Sequence, residues 1–130
     1  MTSRSAALRI ADMLRACAEA RLVVERGRAE FDADVLLRRA AERTIEMLVT
    51  AGRSIRAELE SLDPGYAWQE MFGMRNRVAH EYWRTDPDLV WTALVRDVPE
   101  VEERLDHIRT ATERSGVTRL RRIDTTSRTR

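Results

Sequence analysis

Apolar residues return along most of this chain in steps of three and four, the spacing that lines one face of an α-helix. Leu8, Ala11, Leu14, Ala18 and Leu22 place a first helix over 5–26, and Gly27, just past its end, suits a C-cap. Asp32 or Asp34 caps a long second helix. In it Ala41, Ile45, Leu48, Gly52, Ile55, Leu59 and Leu62 form a coiled-coil-like seam, which the Asp63-Pro64-Gly65 turn stops. Glycine inside a helix costs about 1 kcal/mol relative to alanine, so Gly52 predicts a close helix crossing. A third helix is expected from Tyr66 or Ala67 to about His80. Thr85-Asp86-Pro87 then supplies a cap and a helix start. Leu89, Val90, Ala93 and Leu94 carry a fourth helix, whose stripe resumes at Val101, Leu105 and Ile108 and ends near Arg114. Pro99 is expected to kink that helix or split it in two. The pattern as a whole predicts an all-α, up-down bundle of four to five helices over 1–114. Residues 115–130 follow as a basic tail with no periodic apolar face, expected to be disordered on its own.

Composition agrees with that reading. A chain of 130 residues suits one domain with a core large enough to need no disulfide or structural metal. Charged residues make up 35% and there are only five Gly and three Pro, which favours helices with solvated faces over a turn-rich β fold. Cys17 is the single cysteine and sits among Ala16, Ala18 and Ala20, so a reduced, cytoplasmic setting is expected. No apolar run is long enough to span a membrane, and the first residues do not read as a signal peptide. Two histidines and one cysteine, far apart, give no zinc-ligand spacing, so neither a tightly bound metal nor another cofactor is expected. Net charge is +1 but uneven: five Arg against one Asp put +4 on residues 115–130, which leaves −3 on the rest. The body is therefore no broad basic platform for nucleic acid.

Candidate chemistry concentrates in the third helix. At about 100° per residue, Trp68, Met71, Met74, Val78, Ala79 and Tyr82 fall in one apolar arc, with Arg75 near its middle. A guanidinium at a core position must pair with an anion, line a wet cleft or face a partner subunit. Asn76 and His80, at i and i+4, share the neighbouring edge. Imidazole can take a proton from a ribose 2′-hydroxyl or give one to a leaving 5′-oxygen, and guanidinium can fork two hydrogen bonds onto phosphate, a pairing suited to metal-free RNA cleavage. An ideal helix nevertheless separates Arg75 and His80 by about 140°, which a symmetric dimer with a shared cleft would overcome. Periodicity alone favours His80 as a capped or solvent-facing residue, and it also allows Arg75 and His80 to satisfy buried hydrogen bonds in a purely structural dimer. Trp83 and Trp91 read as core or interface aromatics, and His107 as ordinary surface.

The segment from about Ala40 to Leu105 resembles HepT-like HEPN proteins, the toxin half of bacterial toxin–antitoxin pairs. Their Arg-x-x-x-x-His-x-Tyr hallmark is complete as Arg75, His80 and Tyr82, within Met74-Arg75-Asn76-Arg77-Val78-Ala79-His80-Glu81-Tyr82. Trp68 precedes it, and Asp88-Leu89-Val90-Trp91 and Asp97-Val98-Pro99 follow in matching order. The second helix departs from the family: Leu48-Val49-Thr50-Ala51-Gly52 stands where an Ile-Gly-Glu-Ala-like run with an acidic residue is common. The resemblance implies a ribonuclease site of Arg75 and His80 supported by Asn76, in a homodimer cleft, with RNA as substrate. It also implies Tyr82 as the residue to which a cognate minimal nucleotidyltransferase antitoxin attaches AMP. A rival from another class is a non-catalytic subunit that binds nucleotide or docks on a nucleotidyltransferase.

Overall fold

A computed structural model describes residues 3–81 and 84–127, with side chains for 3–77 and 86–115. The all-α expectation holds. Helix α1 (Arg4–Glu25) begins at Ser3, whose side chain accepts from the Ala6 amide, and ends at Arg26 and Gly27. Gly27 has φ +86°, the left-handed conformation that favours glycine, so it does close the helix as its position suggests. A short α2 (Arg28–Ala33) follows, and its Phe31 is fully buried, 5.2 Å from the Trp91 ring.

The second helix starts where Asp34 predicts, the carboxylate accepting from the Leu36 amide, but it is two helices. Helix α3 (Val35–Ser54) and helix α4 (Arg56–Leu62) are separated by Ile55, at φ −126° and ψ 30°. The Ser54 hydroxyl donates to the Ala51 carbonyl at 2.6 Å, competing with the helical ladder, while Ile55 and Leu59 both stay buried. The break therefore keeps the predicted seam in the core while turning the chain.

Helices α1 and α3 run side by side and antiparallel, joined by the short α2 connection, with Ile10, Met13, Cys17 and Ala20 against Ala41, Ile45, Leu48 and Val49. Side chains of α1 and α5 crowd α3 at Gly52. A Cβ there would lie 2.9 Å from Met13 Cε, 3.1 Å from Phe72 Cε1 and 3.3 Å from Met71 Cε, so the predicted close approach is present.

The third predicted helix departs furthest from expectation. It is two one-turn helices, α5 (Trp68–Phe72) and α6 (Met74–Val78), after which β1 (Ala79–Glu81) pairs antiparallel with β2 (Arg84–Thr85). Helix α7 (Pro87–Thr92) opens on Pro87, with the Asp86 carboxylate accepting from the Asp88 amide. A π turn over Ala93–Asp97 leads directly into α8 (Val98–Ser127). Pro99 thus does not split the helix. Its missing N–H and its ring's demand for room are absorbed by the widened π turn before it. The backbone of α8 also continues past Ser115-Gly116, where the apolar stripe ends, because one glycine costs too little to stop a helix. Val90, Leu94, Val98, Val101 and Leu105 close the core. Among the described residues no helix is long and apolar enough to cross a membrane.

Candidate functional site

The candidate site is built on α5 and α6, whose placement comes from polar anchors around the buried Trp68. Trp68 is 1% exposed and its indole N–H donates to the Asp63 carbonyl at 3.0 Å. Tyr66 stands edge-on to it, ring centroids 4.8 Å apart. Asp63 is in turn gripped by Arg104 of α8 through two hydrogen bonds of 2.8 and 2.5 Å, the fork geometry specific to guanidinium. Phe72 is buried over Gly52, and its carbonyl accepts from Arg53 at 3.0 Å. The Glu70 carbonyl accepts from Arg77 at 2.7 Å. Two guanidinium groups thus satisfy carbonyls at the C-terminus of α5, as cations commonly do at helix ends.

Gly73, at ψ −6°, ends α5 and interrupts the helix before α6 begins. One wheel drawn through Tyr66 to Tyr82 therefore fails. Met74 remains buried at 1%, but the Arg75 side chain is 56% exposed instead of occupying the middle of an apolar face. Its Nη2 lies 3.9 Å from Glu46 Oε1 on α3, and Glu46 also sits 3.6 Å from Arg43. At that distance and exposure the Arg75–Glu46 pair contributes well under about 1 kcal/mol, so the guanidinium is available to a phosphate. Asn76 and Arg77 are exposed beside it.

His80 does not continue that helix. Its backbone lies in β1, so the i, i+4 relation with Asn76 and the 140° separation from Arg75 both lapse. The ladder pairs Ala79 with Thr85 and Glu81 with Arg84, and the register shift between these pairs makes His80 the additional residue of a bulge. Bulges recur beside active sites because they redirect a side chain. The His80 side chain, and Tyr82 and Trp83 altogether, lie outside the described residues.

The structure adds residues that periodicity overlooked. Glu46 places a carboxylate near Arg75 from one turn before Thr50, although the acidic residue is missing from the expected run. Arg53, which the apolar spacing does not single out, ties α3 to the end of α5. Only its position one residue after the close-packed Gly52 hints at this. Cys17 is buried beneath the π turn and its thiol is pushed up to about 12, chiefly by burial and next by the Glu102 charge, so it is no nucleophile. His107 is exposed, as expected.

No solved structure matches this chain. Sequence relatives are found in several prokaryotes. Over 79 residues, 61% of this chain and 70% of the other, it is 28% identical to "Putative RNase TTE0752" of Caldanaerobacter subterraneus subsp. tengcongensis. It is 31% identical over 77 residues, 59% of this chain and 71% of the other, to "Putative RNase MJ1380" of Methanocaldococcus jannaschii. It is 27% identical over 80 residues, 62% and 73% of the two chains, to "Probable ribonuclease HepT" of Thermococcus cleftensis. The family model described as Ribonuclease HepT-like matches residues 13–108, a span that runs from the α1 core through α6 and the bulge to Ile108 of α8. With its motif-bearing segment inside that span, the chain belongs to the HepT-like ribonuclease family.

Proposed function

We propose that this chain is a metal-independent endoribonuclease toxin of a toxin–antitoxin pair, working in the cytoplasm as a homodimer with Arg75 and His80 at its catalytic cleft. The observation that carries the reading is the complete Arg75-x-x-x-x-His80-x-Tyr82 motif within the span of a ribonuclease family, with its guanidinium exposed and weakly paired. Arg75 would fork onto the scissile phosphate and stabilise charge as it builds on the equatorial oxygens. An imidazole of His80 would take the proton of a ribose 2′-hydroxyl as O2′ bonds to phosphorus. The P–O5′ bond breaks, and a protonated imidazole from the second subunit returns a proton to O5′, leaving a 2′,3′-cyclic phosphate. Asn76, exposed next to Arg75, would orient the RNA backbone.

Neutralisation would come from a minimal nucleotidyltransferase antitoxin that attaches AMP to Tyr82. Only one residue lies between His80 and Tyr82, so the added phosphate would crowd the cleft and repel RNA without any long-range rearrangement. The test is cleavage of total RNA in EDTA by wild type, Arg75→Ala and His80→Ala of equal helicity and confirmed unmodified mass. Cleavage by wild type alone is expected. If the unmodified wild type leaves RNA whole, a nucleotide-binding or docking subunit replaces the nuclease. Coexpression with an active partner should add the mass of AMP to wild type and not to Tyr82→Phe.

A further inference from the structure

Helices α1 and α8 run antiparallel. Arg21 of α1 pairs with Glu102 near the start of α8, and Ala7 and Ile10 share a groove with Ile108, Thr112 and Glu113 farther along it. Helix α1 begins at Arg4, so its length is used up opposite about Ser115. The backbone of α8 nevertheless continues as helix to Ser127, and residues 116–127 span about 18 Å. Val117, Leu120 and Ile123 are the only apolar side chains in that stretch, too few to fill a hydrophobic groove or to hold it on a bilayer.

Charge distinguishes the extension instead. Residues 115–130 carry five Arg and one Asp, a net +4, against −3 on the rest of the chain. In the body, arginines answer carboxylates: Arg26 meets Glu30, Arg56 meets Glu60, Arg104 meets Asp63 and Arg109 meets Asp106. The tail offers its five guanidinium groups a single carboxylate of its own, Asp124. Arg119 and Arg122 stand one turn apart on the helical backbone, with Arg121 between them in sequence and Thr118 and Thr125 to either side. Guanidinium and hydroxyl donors repeated along a helix suit a chain of phosphates, whose oxygens accept from both. A body of negative net charge repels a polyanion at long range, and a ribonuclease has to draw one in.

We propose that residues 115–130 are an RNA-holding arm, in which Arg119, Arg121 and Arg122 bind the phosphate backbone of RNA outside the cleft and raise its local concentration there. The choice of RNA as the polyanion rests on the ribonuclease reading. The arm starts about 16 Å along α8 from Arg104, which grips Asp63 ahead of α5, so an RNA must be longer than a dinucleotide to engage arm and site together.

The test uses the full chain, at confirmed unmodified mass, as wild type and as the triple variant Arg119→Ala, Arg121→Ala and Arg122→Ala. Alanine favours the helix, so circular dichroism should show no loss of helicity. The binding probe is a fluorescent single-stranded RNA with methylated 2′-hydroxyls, which keeps the phosphates and removes the nucleophile. Losing three phosphate contacts, at about 0.7 each on a single strand, should flatten the plot of log K against log salt by about 2 and weaken binding by about tenfold or more near 0.1 M salt. With cleavable RNA, the variant should show KM raised by that factor on a long strand and an unchanged kcat/KM on a dinucleoside phosphate. Equal affinity and equal slope in the two proteins overturn the arm. So does an equal loss on the dinucleoside phosphate, which puts the damage in the body, and so does a wild type that prefers phosphatidylserine-rich vesicles to RNA. If wild type cleaves neither substrate yet holds the methylated RNA through these arginines, the arm stands and the nuclease reading falls. Cleavage of both substrates with no dependence on the arginines does the reverse.

Discussion

Replacing Gly52 tests how the core positions Arg75. Valine at 52 puts a Cβ 2.9 Å from Met13 Cε, 3.1 Å from Phe72 Cε1 and 3.3 Å from Met71 Cε, and its two γ-methyls have still less room. The methionine ends can swing away at small cost, but Phe72 is 2% exposed and its carbonyl is held by Arg53. Overpacking costs about 1 to 3 kcal/mol, and leaving glycine regains at most about 1 kcal/mol of helix propensity, less for a β-branched residue. Gly52→Val should therefore lose about 2 kcal/mol, whereas Gly52→Ala, with only the Cβ to fit, should change by less than about 1 kcal/mol because gain and clash nearly cancel. Urea unfolding followed by far-ultraviolet circular dichroism reads both values. RNA cleavage under conditions where each variant is fully folded adds the positional readout. Displacement of Phe72 passes through Gly73 to α6, so Gly52→Val should lose activity by more than its unfolded fraction explains. A valine variant as stable and as active as wild type would refute the close crossing as the reason for this glycine.

Two further outcomes follow from the polar and buried groups. Asp63→Asn removes the charge from the fork with Arg104, a pair 16% and 36% exposed, and should lower the urea midpoint of unfolding. No shift would mean the fork is dispensable for anchoring α5. The Cys17 thiol has its pKa raised from 9.0 to about 12, so the folded state holds this proton more tightly than the unfolded one. Its contribution is present below pH 9 and is lost as pH rises from 9 toward 12, so wild type should lose stability over that interval faster than Cys17→Ala. Equal pH dependence of the two proteins would contradict it.

Much of the architecture was legible because local chemistry dictates it. Ser, Asp and Pro mark helix starts by what their side chains or rings do to nearby amides, and this is true of Asp34, Asp86 and Pro87. The core seam through α3 and the need for glycine at 52 were equally plain from spacing. The breaks were not. Ile55 and Gly73 interrupt patterns whose periodicity continues across them, since a helix wheel assumes one axis and cannot register where that axis turns. The candidate site suffered most from this: Arg75 was placed in a core arc and emerges on the surface, and His80 was placed on a helix and lies in a bulged strand.

What the sequence by itself determined is the identity of the motif and the helical class, because both reside in residue types and their order. Tertiary structure alone decided which carboxylate Arg75 meets, how Arg53 and Arg77 anchor the end of α5, and which face of α3 stays uncovered. Those depend on distances between elements remote in the chain, set by how a glycine and three methionine and phenylalanine side chains fit together at one crossing.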